Sequence, residues 1–264
     1  MKYIENIRKI SPLVHSITNY VTVNDVANVL LACGASPIMA DDEGEVEDIT
    51  SICSSLYINI GTLNTRTIAS MIKAGKKSNA LGHITVLDPV GAGASALRTQ
   101  TAQKLISEIK FDVIRANASE ISALCGEDIS SRGVDASEAD TIDGEKAMYA
   151  ADKLDSVIAV TGKTDIVASK DHYFEIYNGR KEMKSITGTG CQLSALTAAF
   201  VAANREDTLS ACAAAVTAMG VAGEIGFNNL LEGEGNSSYR NRIIDAIYNM
   251  TDTVLEKYGR SKFV

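Results

Sequence analysis

Two glycines and a cysteine stand close together in the segment from Thr187 to Cys191, just before an uncharged, helix-like stretch from Gln192 to Asn204. Gly188 and Gly190 can open a helix whose first backbone N–H groups point at one spot, and such helix N-termini bind phosphate oxygens. A thiol on Cys191 would lie where the helix dipole favours the thiolate, so it could accept a proton or attack an electrophile. A glycine turn followed by a buried cysteine explains the same residues, because free cysteine is often buried.

A carboxylate ends a second segment, where the apolar run from His83 to Asp88 is followed by Pro89, Gly91 and Gly93. The proline and the glycines force a sharp exit from a strand and leave Asp88 at the edge of the sheet. A carboxylate in that place can hold a magnesium ion through water, since magnesium keeps several waters and needs few protein ligands. The alternative is structural, because aspartate also accepts hydrogen bonds from turn amides.

A cation and a second carboxylate occur between Arg115 and Glu120. Arginine at a strand end is unusual for a core, and a guanidinium beside a carboxylate suits the binding of phosphate together with a metal. Asn117 and Glu120 have the spacing of a helix capping box, which would explain both residues without any ligand. We interpret the segment as part of a site and keep the cap as its structural alternative.

Hydroxyl groups and a glycine follow a further apolar run, in the segment from Thr161 to Asp165. Such a strand end suits phosphate oxygens, although a hydrophilic turn has the same composition. None of these segments is a P-loop, and no GxGxxG follows the first strand, so a dinucleotide-binding fold has little support.

Apolar, β-branched runs that alternate with helix-like patterns must position these residues. The predicted strands are residues 37–40, 55–60, 83–88, 112–115 and 156–161. The predicted helices are residues 23–33, 63–78, 94–110, 119–125 and 143–154. Repeated alternation of this kind predicts an α/β fold with a mostly parallel sheet covered by helices on both faces.

The pattern changes after Asp165. Two short alternating segments, residues 165–169 and 173–177, predict an antiparallel hairpin at the edge of the sheet. Three closing helices are predicted at residues 192–204, 208–225 and 239–258, with a loop at residues 231–236. No internal repeat or linker is visible, so residues 1–264 are expected to form a single domain.

The carboxyl ends of parallel strands meet at one edge of a sheet, and ligands bind there. The strand-end loops would bring together phosphate donors, two carboxylates, an arginine and a helix N-terminus beside Cys191. Phosphoryl transfer needs that collection: a metal, a charge clamp, N–H donors and a group that receives a hydroxyl proton. The sequence therefore predicts a phosphoryl-transfer site with Cys191 as the proton acceptor.

The composition limits the partners and the compartment. The chain has 25 basic and 33 acidic side chains, a net charge of −8, and no basic patch for nucleic acid or an anionic membrane. Five cysteines without a CxxC pair, and only three histidines, indicate neither a disulfide framework nor a zinc site. Residues 1–13 lack the apolar core of a signal peptide, which predicts a cytoplasmic protein.

Six segments together resemble the hydroxyethylthiazole kinase family of the ribokinase-like superfamily, in that family's order. They are residues 15–28 (HSITNYVTVNDVAN), 34–39 (GASPIM), 87–93 (LDPVGAG), 117–120 (NASE), 132–135 (RGVD) and 188–191 (GTGC). The resemblance implies a three-layer α/β/α fold and ATP-dependent phosphorylation, with magnesium, of the primary alcohol of 4-methyl-5-(2-hydroxyethyl)thiazole in thiamin salvage. It also implies a homotrimer with active sites between subunits.

The resemblance further implies roles for individual residues. Those matched to the thiazole pocket are Met39, Gly188, Asn19, Gly61 and Thr62. Those matched to ATP binding are Arg115, Thr161, Asn117 and Gly190, and those matched to the metal are Asp88 and Glu120. Cys191 matches the catalytic base, which is an aspartate in most ribokinase-like enzymes.

One departure and several alternatives remain. Residues 231–238 contain no proline, whereas the family usually carries a glycine- and proline-rich turn before the last helix. A kinase for hydroxymethylpyrimidine or pyridoxal, a ribokinase-like NAD(P)H-hydrate dehydratase and a non-catalytic binding protein are the competing interpretations. The dehydratase would be expected to carry aspartate at position 191. A binding protein would have lost its site residues, whereas Asp88, Arg115, Glu120 and Cys191 all remain.

Overall fold

A computed structural model of the chain describes residues 2–126 and 142–264. The segment 132–135, which contributed to the family resemblance, lies outside the described residues. The described strands form one nine-stranded sheet in the order β2-β1-β3-β4-β5-β6-β7-β8-β9. They are β1 (Leu13–Ile17), β2 (Ser36–Ile38), β3 (Ser55–Asn59), β4 (Ile84–Asp88), β5 (Val113–Asn117), β6 (Val157–Thr161), β7 (Asp165–Ala168), β8 (Tyr173–Ile176) and β9 (Ser261–Phe263).

The parallel part of the sheet runs from β2 to β6. Every residue of β3 and β4 is buried, as expected for strands covered by helices on both faces. One strand of this part, β1, is absent from the sequence prediction because His15 and Ser16 interrupt its apolar run. The fold buries His15 completely, with Nδ1 3.0 Å from Thr50 Oγ1 and Nε2 2.8 Å from the Ala40 carbonyl.

The antiparallel part begins at β7, which pairs with β6 on one side and β8 on the other. This confirms the hairpin predicted from the alternating segments. The short strand β9, which the sequence did not suggest, adds to β8 and brings the C-terminus back to this edge.

Eleven helices are present among the described residues. They are α1 (Tyr3–Ile10), α2 (Val23–Cys33), α3 (Val46–Ile52), α4 (Thr65–Ala80), α5 (Ala96–Glu108), α6 (Ala118–Cys125), α7 (Gly144–Leu154), α8 (Thr189–Ala203), α9 (Thr208–Asn228), α10 (Asn236–Tyr248) and α11 (Asp252–Tyr258). One core cluster holds side chains of α1, α2 and α8–α11 on one face of the sheet, and a second holds those of α3–α7 on the other. The three-layer α/β/α prediction is confirmed.

The helices α8 and α9 are rich in alanine and buried along nearly their whole length. Among the described helices, α9 alone is long and apolar enough to cross a membrane, and most of it is buried inside the structure. The small side chains of α9 let α10 pack closely against it. For example, Tyr239 Oη of α10 donates to the Gly223 carbonyl of α9 at 2.8 Å.

The last predicted helix, residues 239–258, is wrong as one element. The structure begins α10 earlier, at Asn236, ends it at Tyr248 and starts α11 at Asp252. Thr251 caps α11, because its Oγ1 accepts from the Val254 N–H at 3.2 Å. Met250, in the break, is only 1% exposed, so the change of direction buries an apolar side chain.

Candidate active site at the carboxyl edge of the sheet

The site forms where β3 to β6 end. Asn59 is paired with Asp88 across β3 and β4, and Asn117 is paired with Thr161 across β5 and β6. The first turns of α8 lie against these ends, since Ser194 Oγ donates to Asp88 Oδ2 at 2.9 Å. The fold thus brings loops that are far apart in sequence to one edge, as the parallel sheet predicted.

Asp88 is fully buried at the end of β4. Its Oδ2 accepts from Asn59 Nδ2 at 3.0 Å and from Tyr57 Oη at 3.4 Å, in addition to Ser194. Its Oδ1 has no hydrogen bond from the described residues, and Arg115 Nη1 lies 3.5 Å away from it. Burial raises the pKa of Asp88, and the positive charge of Arg115 partly offsets that effect.

Arg115 projects from β5 toward the start of α8. Its Nη2 donates to Thr161 Oγ1 at 2.7 Å, and its Nη1 faces Asp88, so two strand ends hold the guanidinium. Gly190 packs directly against this group, because a Cβ atom at position 190 would lie 2.8 Å from Arg115 Cζ and closer still to the Nη atoms. The second glycine of the segment is therefore required by a close contact with the arginine.

Gly188 precedes α8 with a φ of +84°, a left-handed conformation that glycine adopts without strain. A side chain at position 188 would also collide with Thr22. No side chain among the described residues caps the N-terminus of α8. The first N–H groups of this helix, beside the Arg115 guanidinium, are consequently able to bind an anion.

Cys191 lies in the first turn of α8 and is 9% exposed. Its Sγ accepts from Asn59 Nδ2 at 3.3 Å and from Asn19 Nδ2 at 3.4 Å. Burial, followed by the negative charge of Asp88, raises the pKa of the Cys191 thiol, against hydrogen bonds from Thr22 and Asn19 and the charge of Arg115. Burial and the charge of Asp88 thus oppose the thiolate that the sequence suggested, and most of the group is the neutral thiol at pH 7.

Three of the residues matched to the thiazole pocket lie around this cysteine. Asn19 follows β1 and its Oδ1 accepts from the Val21 and Thr22 N–H groups at 3.1 and 3.0 Å, so the side chain fixes the entry to α2. The Gly61 N–H donates to Asn59 Oδ1 at 2.9 Å. Thr62 has a φ of +46°, and its Oγ1 accepts from the Tyr20 N–H at 3.3 Å, so it adjoins the segment that carries Asn19.

Met39 lies farther along the same edge, one residue after β2. It is half-buried and packs against the core cluster that contains α2 and α8. Cys191 belongs to the same cluster, so both side chains lie on the α8 side of the sheet.

Glu120 forms the predicted capping box with Asn117. Asn117 Oδ1 accepts from the Glu120 N–H at 2.9 Å, and Glu120 Oε2 accepts from the Asn117 N–H at 2.9 Å, which confirms the structural alternative. Glu120 Oε1 also accepts from the Gly91 N–H at 2.8 Å, so the side chain joins the β5 end to the turn after Asp88. Its negative charge is near enough to raise the pKa of Asp88.

Asp88 and Glu120 are the two carboxylates at this edge that could take part in a magnesium site through bound waters. No group of three or more His, Cys, Asp or Glu side chains among the described residues is arranged to hold a metal directly. Magnesium usually takes only one or two carboxylates and keeps several waters. The buried Asp88 Oδ1, without a hydrogen bond from the described residues, is an oxygen available to such an ion or to one of its waters.

Three residues of this site are missing from the sequence-based set: Tyr57, Asn59 and Ser194. Asn59 ends a predicted strand in register with Asp88, and Ser194 lies three residues after Cys191 on the same helix face. Strand ends and helical spacing could have indicated both, whereas nothing in the sequence distinguishes Tyr57 from a core tyrosine.

Known proteins share both the sequence and the fold of this chain. Residues 4–253 match the model of the hydroxyethylthiazole kinase family. A hydroxyethylthiazole kinase of Clostridium acetobutylicum is 54% identical over 265 residues, which cover 97% of this chain and 97% of the relative. The structure of a hydroxyethylthiazole kinase from Pyrococcus horikoshii OT3 is 38% identical, with a TM-score of 0.89 over 99% of this chain and 97% of the other. A ribokinase-like superfamily protein from Enterococcus faecalis V583 is 14% identical, with a TM-score of 0.64 over 97% of this chain and 89% of its own, and this likeness shows the fold.

Proposed function

The chain belongs to the hydroxyethylthiazole kinase family, and from that premise we propose that it transfers the γ-phosphoryl group of ATP to the primary alcohol of 4-methyl-5-(2-hydroxyethyl)thiazole, a reaction of thiamin salvage. One observation carries the proposal. Cys191, Asp88 and Arg115 converge at the uncapped N-terminus of α8, where an alcohol and a phosphoryl group can meet.

ATP occupies the side of the site formed by β5 and β6. Arg115, held by Thr161, clamps the phosphates, and Asn117 and Gly190 shape the same surface. The first N–H groups of α8 donate to the transferring phosphoryl group and stabilise the charge that develops on its oxygens. Positioning and charge stabilisation of this kind provide most of the catalysis in phosphoryl transfer.

Asp88 and Glu120 are the residues that would hold magnesium. A bound magnesium ion supplies charge neutralisation of the triphosphate. Asp88 would offer Oδ1, which accepts no hydrogen bond from the described residues and faces Arg115 Nη1 at 3.5 Å, and Glu120 keeps the turn after β4 in place through the Gly91 N–H.

The thiazole alcohol occupies the opposite side, lined by Asn19, Met39, Gly61, Thr62 and Gly188. Its hydroxyl group lies near Cys191. A thiol can receive this proton only as the thiolate, and the raised pKa of Cys191 keeps the thiolate fraction small at pH 7. Because the transition state is loose, the alcohol keeps its proton until its oxygen bonds to phosphorus, and the thiolate then takes the proton and becomes the thiol. Cys191 therefore assists the transfer and is not its main source of rate.

The active form in this proposal is a homotrimer, with sites completed by a neighbouring subunit. Directly after Asn19, Tyr20 and Val21 are 78% and 57% exposed. Exposed apolar side chains that cluster beside a site are typical of a surface that another chain covers. Each subunit acts as one kinase domain in the cytoplasm, where ATP is available.

The purified chain tests this proposal directly. ADP release is measured with ATP, magnesium and one of three alcohols: the thiazole alcohol, hydroxymethylpyrimidine or pyridoxal. We expect release only with the thiazole alcohol, and loss of release when magnesium is chelated. Release with another alcohol alone would reassign the substrate, and no release with any alcohol would reject the kinase.

A further inference from the structure

A fully buried asparagine lies between the two halves of the site. Asn59 is the last residue of β3 and is 0% exposed. It has no role in the function proposed above. Its side chain nevertheless contacts both Cys191 and Asp88, which are the cysteine and carboxylate of that function.

Backbone donors determine which way the Asn59 carboxamide faces. The Gly61 N–H can only donate, and it lies 2.9 Å from one terminal atom of Asn59, which is therefore the oxygen Oδ1. Nδ2 then faces the opposite way, toward Cys191. The same reasoning orients Asn19, whose Oδ1 receives the Val21 and Thr22 N–H groups, so that its Nδ2 also faces the sulphur.

The Cys191 sulphur is thus an acceptor between two carboxamides. Asn59 Nδ2 and Asn19 Nδ2 lie 3.3 and 3.4 Å from it, and Asn19 Nδ2 also donates to Asn59 Oδ1 at 3.0 Å. Asn59 therefore holds the sulphur directly and also through the position of Asn19.

The same amide group reaches the carboxylate. Asn59 Nδ2 lies 3.0 Å from Asp88 Oδ2 and 2.8 Å from Tyr57 Oη, besides the sulphur. A carboxamide has two N–H hydrogens, so three acceptors must share them. Through this sharing, the positions of Cys191 and Asp88 depend on one side chain.

We propose that Asn59 is a positioning residue for phosphoryl transfer, whose carboxamide holds the Cys191 sulphur and the Asp88 carboxylate in a single arrangement. The inference rests on the proposed function. Asn59 acts through Cys191, keeping the group that receives the alcohol proton in register with the carboxylate on the phosphate side.

A double-mutant cycle tests whether Asn59 acts through the sulphur. Asn59→Ala removes the carboxamide, and we expect it to lower kcat about tenfold with the KM for ATP changed less than about threefold, as misplacement of a reacting group does. In a Cys191→Ala background the same substitution should cost clearly less, about threefold or less, because only its contact with Asp88 is then lost. If Asn59→Ala lowered kcat by the same factor with and without the Cys191 sulphur, the proposal would be overturned.

Alkylation of Cys191 provides a measurement that needs no substrate. The ligand-free protein is treated with iodoacetamide at one pH, and the modified peptide is quantified by mass spectrometry, with Cys191→Ala as the blank. We expect Asn59→Ala to lower the rate at Cys191 by about threefold or more, since iodoacetamide attacks the thiolate and the substitution removes a hydrogen bond that stabilises it. An unchanged alkylation rate at Cys191 would count against the proposal, even if the double-mutant cycle showed non-additive effects on kcat.

Two variants control for general effects. Asn79→Ala removes a carboxamide that binds the Lys110 backbone, far from the site, and should change neither kcat nor the alkylation rate. If Asn59→Ala does not fold, Asn59→Ser replaces it in both experiments, because it also removes the Nδ2 donor but keeps a small, uncharged polar group beside the Gly61 N–H. Failure of both variants to fold would show that Asn59 is needed for folding and would reject the proposal.

The failure of the proposed function would look different. If the unmodified chain released no ADP, the kinase function would be rejected, but the alkylation rate would still show whether Asn59 contacts and holds the Cys191 sulphur.

Discussion

At the scale of single residues, Cys191 is a thiol that its surroundings keep protonated. It lies in the first turn of α8, where the helix dipole favours a negative charge. Burial and the nearby charge of Asp88 nevertheless raise its pKa. In the proposed mechanism only the small thiolate fraction of this side chain can receive the alcohol proton, so its removal should leave much of the charge stabilisation in place.

Substitution of Cys191 tests whether proton transfer to this residue contributes less to the rate than charge stabilisation does. Cys191→Ala should lower kcat by about tenfold to a hundredfold without abolishing it, because a loose transition state asks little of a base. Cys191→Asp should keep or raise kcat, since a carboxylate is ionised at neutral pH. Both are measured by ADP release. An inactive aspartate variant that still binds both ligands would refute the base role.

Asp165, beside the phosphate side of the site, should make stability depend on pH. Burial raises its pKa from 3.8 to about 6, against the Gly162 N–H and the charge of Arg115. Between these values the unfolded chain has lost the proton that the folded chain keeps, so the free energy of unfolding falls as pH rises toward 6. The destabilisation is complete above that pH.

Asp165→Asn removes this penalty and keeps the oxygen that accepts from Gly162. We expect the variant to gain about 1 kcal/mol in free energy of unfolding near pH 7.5 and nothing near pH 4, by urea titration. Asp171→Asn, at an exposed aspartate in the β7–β8 turn, should show no such difference. An equal gain at both pH values would exclude the titration of Asp165 as the cause.

At the scale of elements, the start of α8 has a sequence set by its contacts and not by helix propensity. Glycine disfavours a helix relative to alanine by about 1 kcal/mol, yet Gly190 lies in the first turn. The contact with the Arg115 guanidinium explains this choice, because no other residue leaves room for it.

Gly190→Ala should therefore gain helix propensity and lose function. The added methyl group would displace Arg115 from Thr161 and Asp88, and we expect the KM for ATP to rise about tenfold or more, since a misplaced clamp weakens phosphate binding. Gly235→Ala is the matched control, because a methyl group there meets open space before α10. Unchanged ATP kinetics in Gly190→Ala would show that Arg115 does not clamp the phosphates.

At the scale of the whole molecule, the exposed residues next to Asn19 are the feature that a single chain leaves unexplained. Tyr20 is 78% exposed although it adjoins a buried asparagine that contacts Cys191. The proposed homotrimer covers this surface and completes the thiazole side of each site.

Tyr20→Ser should then weaken assembly and activity together. We expect lower apparent mass in light scattering at low protein concentration and a higher KM for the thiazole alcohol, because a large aromatic side chain is a frequent anchor of interfaces. Tyr248→Ser, at a tyrosine 67% exposed at the end of α10, should change neither. A monomeric, fully active chain would contradict a site shared between subunits.

Local patterns in the sequence determined a large part of this molecule. Alternating apolar runs predicted the strands β3 to β8, the capping spacing predicted the bonds between Asn117 and Glu120, and the glycines before Cys191 predicted the start of α8. Each of these depends on residues close together in the chain, so propensity and spacing suffice to indicate them.

The tertiary structure decided what depends on distant residues. The hydrogen bond from Asn59 to Cys191 joins positions 132 residues apart, and β1 and β9 become strands only because neighbours already in the sheet pair with them. The raised pKa of the Cys191 thiol follows from desolvation, which is a property of the packed molecule and not of the GTGC segment. The sequence by itself therefore identified the glycine turn and its cysteine as a candidate site, and only the fold determined the hydrogen-bond partners and the burial of that cysteine.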